Sequence, residues 1–148
     1  MADEWVSPTS HSDLSFGWDD ETNAYDENTG TRSRASKKSL INGGYISDEW
    51  LELLHATLWC SKVRAFGVLG FCTNIHIDVW YGDAWHTIAT NTPISGWTEV
   101  SLGGTYSVTK ARIKVQTVAA YVPNMYEFYF WETTEPAVAG RSFGFIMG

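Results

Sequence analysis

The sequence predicts an all-β protein, an antiparallel jelly-roll β-sandwich. Three observations carry that expectation. Apolar and polar residues alternate with period 2 in several separate segments, the signature of half-buried strands. Gly-rich turns part these segments at spacings of about 10–15 residues, as in sandwiches and barrels. Aromatic residues, which favour strands, make up 15% of the chain, with eight Trp, seven Tyr and seven Phe. No long 3.6-residue pattern appears, so any helix is short. No repeat of fixed period appears either, which argues against a propeller or a solenoid.

Residues 1–45 are polar and turn-rich and read as loops with at most one short strand. Asp19-Asp20-Glu21 leads into Asn23, Asp26, Asn28 and Gly30, and a basic patch follows at Arg32, Arg34, Lys37 and Lys38. An acidic stretch beside a basic one neutralises locally, a simpler reading than an anion site. From Tyr45 the pattern becomes apolar: 46–56, then 63–68 after a short break. Ile75, Ile77 and Val79 alternate with His76, Asp78 and Trp80; Tyr81-Gly82-Asp83-Ala84 is a turn, and 85–89 is the return strand of a hairpin. A strand over 96–102 is closed by Gly103-Gly104. Ala111, Ile113 and Val115 alternate with Arg112, Lys114 and Gln116, and Tyr126, Phe128 and Phe130 alternate with Glu127, Tyr129 and Trp131. The expected organisation is an N-terminal arm over 1–23, a sandwich over 24–135 and an apolar tail over 136–148.

Composition bounds the function. A chain of 148 residues suits one domain, and at that size it buries roughly 70% of its unfolded surface without needing staples. Ten Lys and Arg against seventeen Asp and Glu give a net charge of −7. That argues against a generic nucleic-acid binder, which clusters cations. No run of eighteen apolar residues exists, so no helical membrane span is expected. The acidic start, Met-Ala-Asp-Glu-Trp, does not read as an export signal. Synthesis in the cytoplasm is therefore expected, with action in a virion or other extracellular assembly. Cys60 and Cys72 are the only cysteines. A hairpin turning near Phe66 would set them opposite each other; two half-buried thiols is the reading favoured here.

The order of these pieces resembles the discoidin, or coagulation-factor type C, domains of the galactose-binding-like sandwiches, which include many carbohydrate-binding modules. The segment Ala24-Tyr25-Asp26-Glu27-Asn28-Thr29-Gly30-Thr31 is similar to the family's Ala-x-Asp stretch, with Thr five residues after Asp. Trp50-Leu51-Glu52-Leu53 resembles the strand that follows. The stretch 75–85 resembles a hairpin with Trp after its turn, Ala111-Arg112-Ile113-Lys114-Val115 the late core strand, and Tyr126-Glu127-Phe128 the closing strand. The resemblance spans about 24–132. A Trp usual shortly after the Thr is missing, as are the two terminal Cys of the blood-factor members. The resemblance implies that the 26–31 loop meets Glu127, making Asp26, Thr31 and Glu127, with loop carbonyls, candidate ligands of one structural calcium ion. The alternative is an Asx-turn, in which Asp26 and Asn28 bond their own backbone.

Sugar stacking needs accessible aromatic rings with polar groups beside them. Trp18, Tyr25, Trp80, Trp85, His86, Trp97 and Tyr121 lie in predicted loops or outward strand positions and are the candidate ligand-binding residues. Trp80 and Trp131 fall on the polar phase of their strands, so something is expected to cover them: a ligand, a neighbouring subunit or the tail. Trp131, Phe143, Phe145, Ile146 and Met147 are the candidate interface. The four His are scattered, and no Gly-x-Ser-x-Gly, His-Glu-x-x-His or P-loop occurs, so no catalysis is expected. Two functions follow. The leading one is a structural subunit on the surface of a phage or virus particle, of decoration, tail or fibre type, partnered by itself or other virion proteins and with a cell-surface glycan as a further partner. The alternative is a stand-alone, lectin-like carbohydrate-binding module.

Overall fold

The computed structural model describes residues 3–12, 17–41, 43–68, 71–117 and 121–136. Within them the regular structure is almost entirely strand: β1 (Glu4–Val6), β2 (Ser10–Ser12), β3 (Trp18–Asp19), β4 (Ser33–Ala35), β5 (Lys38–Ile41), β6 (Gly44–Ser47), β7 (Leu51–Gly67), β8 (Asn74–Tyr81), β9 (Ala84–Pro93), β10 (Gly96–Gln116), β11 (Asn124–Met125) and β12 (Glu127–Thr133). A single 3-10 turn covers Glu21–Ala24. Every pairing is antiparallel.

The two long strands, β7 and β10, hold the molecule together. They pair along most of their length, with register breaks between Ser101 and Tyr106 and between Val108 and Lys110. On one side of those breaks, the C-terminal half of β7 pairs with β12, which pairs with β1. On the other side, the N-terminal half of β7 pairs with β2, and the C-terminal half of β10 pairs with β8, which pairs with β9. Two strands thus pass from one layer of the sandwich to the other. A small second sheet, in the order β11-β4-β3, closes one end.

The inward phases of these strands form one core. Leu51, Leu53, Val63, Ile75, Ile77, Val79, Ala111, Ile113, Val115, Phe128 and Phe130 are all fully buried. Each buried Leu, Ile, Val or Phe contributes about 1.5–3 kcal/mol relative to exposure. The alternation seen in the sequence at 75–79, 111–115 and 126–131 assigns these inward residues correctly. The β8–β9 turn also forms as expected: Gly82 and Asp83 both have positive φ, 60° and 61°, the requirement of a type I′ hairpin turn.

Several expectations give way. Residues 4–12 are not a free arm, since β1 and β2 add to the main sheet. The break expected near residue 60 does not exist, because β7 runs through Phe66. Cys60 and Cys72 are therefore not opposed across a hairpin; they are free thiols, as the favoured reading had it, but fully rather than half buried. Burial pushes them up to about 11 and about 12 respectively, so both stay protonated at neutral pH. Gly103-Gly104 does not end a strand either. It lies inside β10 at the first register break, with Gly103 at φ 82°, the glycine conformation that a bulge uses. Phe143, Phe145, Ile146 and Met147 lie outside the described residues.

Candidate functional site

Because strands alternate, residues opposite the core point outward in rows. On the β7–β12–β1 layer, Lys62, Arg64, Trp5, Trp97, Tyr129 and Trp131 share that outer face. The Arg64 guanidinium carbon lies 4.5 Å from the centre of the Trp5 ring, 4.2 Å from Trp97 and 5.1 Å from Tyr129. Lys62 lies over Trp5 and Trp131 at 5.3 and 4.9 Å. Trp97 stacks on Tyr129, and Trp5 meets Trp131 edge-on. What covers Trp131 within the described residues is therefore the chain's own first strand and a lysine.

Arg64 forms the floor of an open cleft of about 520 Å³, whose walls include Trp5, Tyr25, Tyr129, Glu4 and Glu27. Its Nε is buried without a hydrogen-bond partner, and no ion pair engages it among the described residues. Glu4 and Glu27 are exposed at the rim. The Tyr25 hydroxyl is 2.8 Å from His11 Nδ1. Burial first, then the Glu127 and Glu27 carboxylates, pushes the Tyr129 phenol up to about 12. Both the rings and the polar groups needed to hold a sugar are present: flat apolar faces, a cationic fork donor and carboxylate acceptors.

The acidic loop adjoins this cleft through Tyr25 and Glu27. The structure brings Asp26, Thr31 and Glu127 together, as the resemblance implied. Glu27 N–H donates to Glu127 Oε1 at 3.1 Å, while Glu127 Oε2 is buried with no partner. Burial, then the adjacent Asp26 carboxylate, pushes Glu127 up to about 8. The Asx-turn also forms: Asn28 N–H donates to Asp26 Oδ1 at 3.1 Å and Gly30 N–H to Asn28 Oδ1 at 2.8 Å. Thr31 donates its hydroxyl to Asp26 Oδ2 at 2.5 Å. Two carboxylates, a hydroxyl and loop carbonyls are hard oxygen donors that suit Ca²⁺. The orphaned Oε2 is the atom that a cation or a proton must satisfy.

The other candidates separate. Trp80, Trp85 and His86 sit on the β8–β9 hairpin in the opposite layer. Trp80 and Trp85 meet edge-on, with Lys110 over both. Arg112 lies over Trp85 and Trp50. His86 stacks on Tyr81 at 3.7 Å, and Tyr81 on Tyr106 at 4.0 Å. The cover over Trp80 is thus the side chains of β9 and β10. Tyr121 is exposed at the end of the sandwich, next to Phe71. Trp18 corrects the sequence reading: it is 2% exposed, and its Nε1 donates to Glu49 O at 2.9 Å. It is a core residue on β3 of the small sheet and has no face for a ligand.

Sequence reasoning missed Trp5, Arg64 and Tyr129. The signal for the last two was their outward phase in recognised strands. Trp5 carried none, because it lay in a stretch read as an arm.

No protein-family model and no curated protein matches the chain. Solved structures do. A chitosan-binding module of a chitosanase/glucanase from Paenibacillus sp. IK-5 superposes with a TM-score of 0.60 at 16% identity, over 85% of this chain and 96% of that one. A fucose-binding module, SpX-3, from Streptococcus pneumoniae gives 0.61 at 15% identity, over 88% and 99%. The CBM32 of AlyQ, solved with 4,5-unsaturated mannuronic acid, gives 0.59 at 12% identity, over 88% and 99%. The fold is therefore the galactose-binding-like, discoidin-type β-sandwich that carbohydrate-binding modules use.

Proposed function

We propose that this chain is a non-catalytic glycan-binding module and that the Arg64 cleft holds the sugar. The observation that carries the proposal is the cleft itself. Trp5, Tyr25 and Tyr129 offer ring faces to the C–H face of a pyranose, while Arg64 donates and Glu4 and Glu27 accept hydrogen bonds from its hydroxyls. The similarity of fold to sugar-binding modules supports the reading as an analogy. The comparisons favour it over the particle-subunit reading, for which they offer no support. The test is a glycan screen followed by calorimetric titration of the strongest ligand against wild type and Trp5→Ala. Removing one wall of the cleft should weaken binding at least tenfold. Binding that is unchanged in Trp5→Ala would move the site elsewhere.

In the same reading, Asp26, Thr31 and Glu127 hold one calcium ion, which would neutralise the two facing carboxylates and fix the loop that carries Tyr25 and Glu27. Its role is structural: it orders one wall of the cleft and does not touch the sugar. Added calcium should raise the melting temperature of the wild type and leave that of Glu127→Gln unmoved.

A further inference from the structure

The Arg64 guanidinium is half-buried and has no counter-ion among the described residues. Three aromatic rings surround it, at 4.5, 4.2 and 5.1 Å from Trp5, Trp97 and Tyr129. Rings stabilise a cation through their negative faces, but they accept none of its five N–H bonds in the way an oxygen does. Its Nε stays unsatisfied. The remaining guanidinium nitrogens find no protein acceptor among the described residues, although the chain carries seventeen Asp and Glu. Glu4 and Glu27 line the same cleft without pairing to it; they stand exposed at the rim, where water screens them. The arrangement is a fork donor held among three aromatic rings and lining an open cleft, where a planar acceptor could reach it.

Resting on the glycan-binding reading, we infer that the cleft selects acidic sugars: a pyranose whose ring carries a carboxylate, as in a hexuronic acid. The carboxylate takes the two parallel N–H bonds of Arg64, a geometry that a hydroxyl cannot match and that is roughly twice as strong as neutral pairing. The surrounding rings lower the cost, because Nε is already buried and the side chain is packed among them before the ligand arrives. The sugar's hydroxyls donate to Glu4 and Glu27 at the rim, where two carboxylates would repel an anion placed outside the fork. Charge sign thus orients the ligand: acid inward, hydroxyls outward. A neutral sugar leaves the guanidinium without a counter-ion, and an amino sugar places a cation beside Arg64.

The test uses the full chain with calcium present. Polygalacturonate, alginate and hyaluronan are each paired with a carboxyl-reduced counterpart, together with a set of neutral glycans, and retardation in affinity gels is measured. At least one acid polymer should bind ten-fold or more tighter than its reduced form. Arg64→Gln should abolish that preference, and Arg64→Lys, which keeps the charge but not the fork, should lose most of it. Circular dichroism and the melting curve of each variant verify folding, and Lys62→Gln, on the same face, should keep the preference. Acid and reduced polymers binding equally, a preference that survives Arg64→Gln, or binding to neutral glycans alone would each overturn the acid-sugar inference while leaving the glycan-binding module standing. No binding to any glycan in the set would overturn both.

Discussion

The two outer faces of the sandwich are built from the same parts and differ in one respect. On the β8–β9–β10 face, Lys110, Arg112 and Lys114 project at alternate positions between Trp80, Trp85 and Trp50. On the β7–β12–β1 face, Lys62 and Arg64 project between Trp131, Trp5 and Trp97. In the first, the arginine is paired: Arg112 Nη2 lies 2.7 Å from Asp78 Oδ2, and Thr87 donates to the other oxygen at 2.9 Å. In the second, the arginine has no carboxylate partner among the described residues. A cation–aromatic row whose arginine is paired closes on itself and stabilises the sheet. The same row with an unpaired arginine at the base of a cleft presents a site. The aromatic surplus in the composition therefore divides into two uses, and charge pairing separates them.

The largest expected effect breaks the paired face. Asp78 is buried, at 4% exposure, so Arg112→Gln strands a carboxylate with only Thr87 to satisfy it. Breaking such a pair should cost about 2–4 kcal/mol, read as a lowered melting temperature, with glycan binding retained in the folded fraction. Arg64→Gln should show the reverse: a loss of about 1–2 kcal/mol from the vanished ring contacts, and a loss of ligand. If both variants lost stability alike and neither lost ligand, the distinction between the faces would fall.

The next effect concerns pH. Burial and Asp26 hold Glu127 near 8, above its ordinary 4.5. The folded chain then binds more protons than the unfolded chain between those values, so stability falls as pH rises through that window. Without calcium, raising the pH from 5 to 8 should cost at least about 1 kcal/mol, or roughly 2–4 °C in melting temperature. Saturating calcium, or Glu127→Gln, should flatten that slope. A slope of the opposite sign would mean that Glu127 is ionised in the metal-free fold.

Much of the fold is legible in the sequence because period-2 alternation reports burial directly. Ile75, Ile77 and Val79 are inward on that ground alone. Strand ends are less legible. Gly103-Gly104 reads as a stop, yet neighbouring strands hold both sides of it and turn it into a bulge. The cleft was the least legible part. Its floor comes from β7, its walls from β1, β12 and the 25–27 loop, and no local pattern records that β1 folds back beside β12. Trp18 failed for the complementary reason: its loop position hid the backbone acceptor, Glu49 O, that lets its indole be buried.

The smallest expected effect sharpens the comparison from the side of the exposed ion pair. Lys62 reaches Glu99 at 3.0 Å, but the two side chains are 35% and 54% exposed. Solvent screening leaves such a pair about 0.2–1 kcal/mol, so Glu99→Gln should shift the melting temperature by no more than a few degrees. The pair matters for another reason. It gives Lys62 a carboxylate and turns Glu99 toward the lysine, although Glu99 sits directly opposite Arg64 in the β7–β10 register. If Glu99 instead served Arg64 in solution, Glu99→Gln would increase the affinity for a carboxylate ligand by freeing the guanidinium. Unchanged affinity in that variant is the expected result, and it would show that Glu99 does not occupy Arg64.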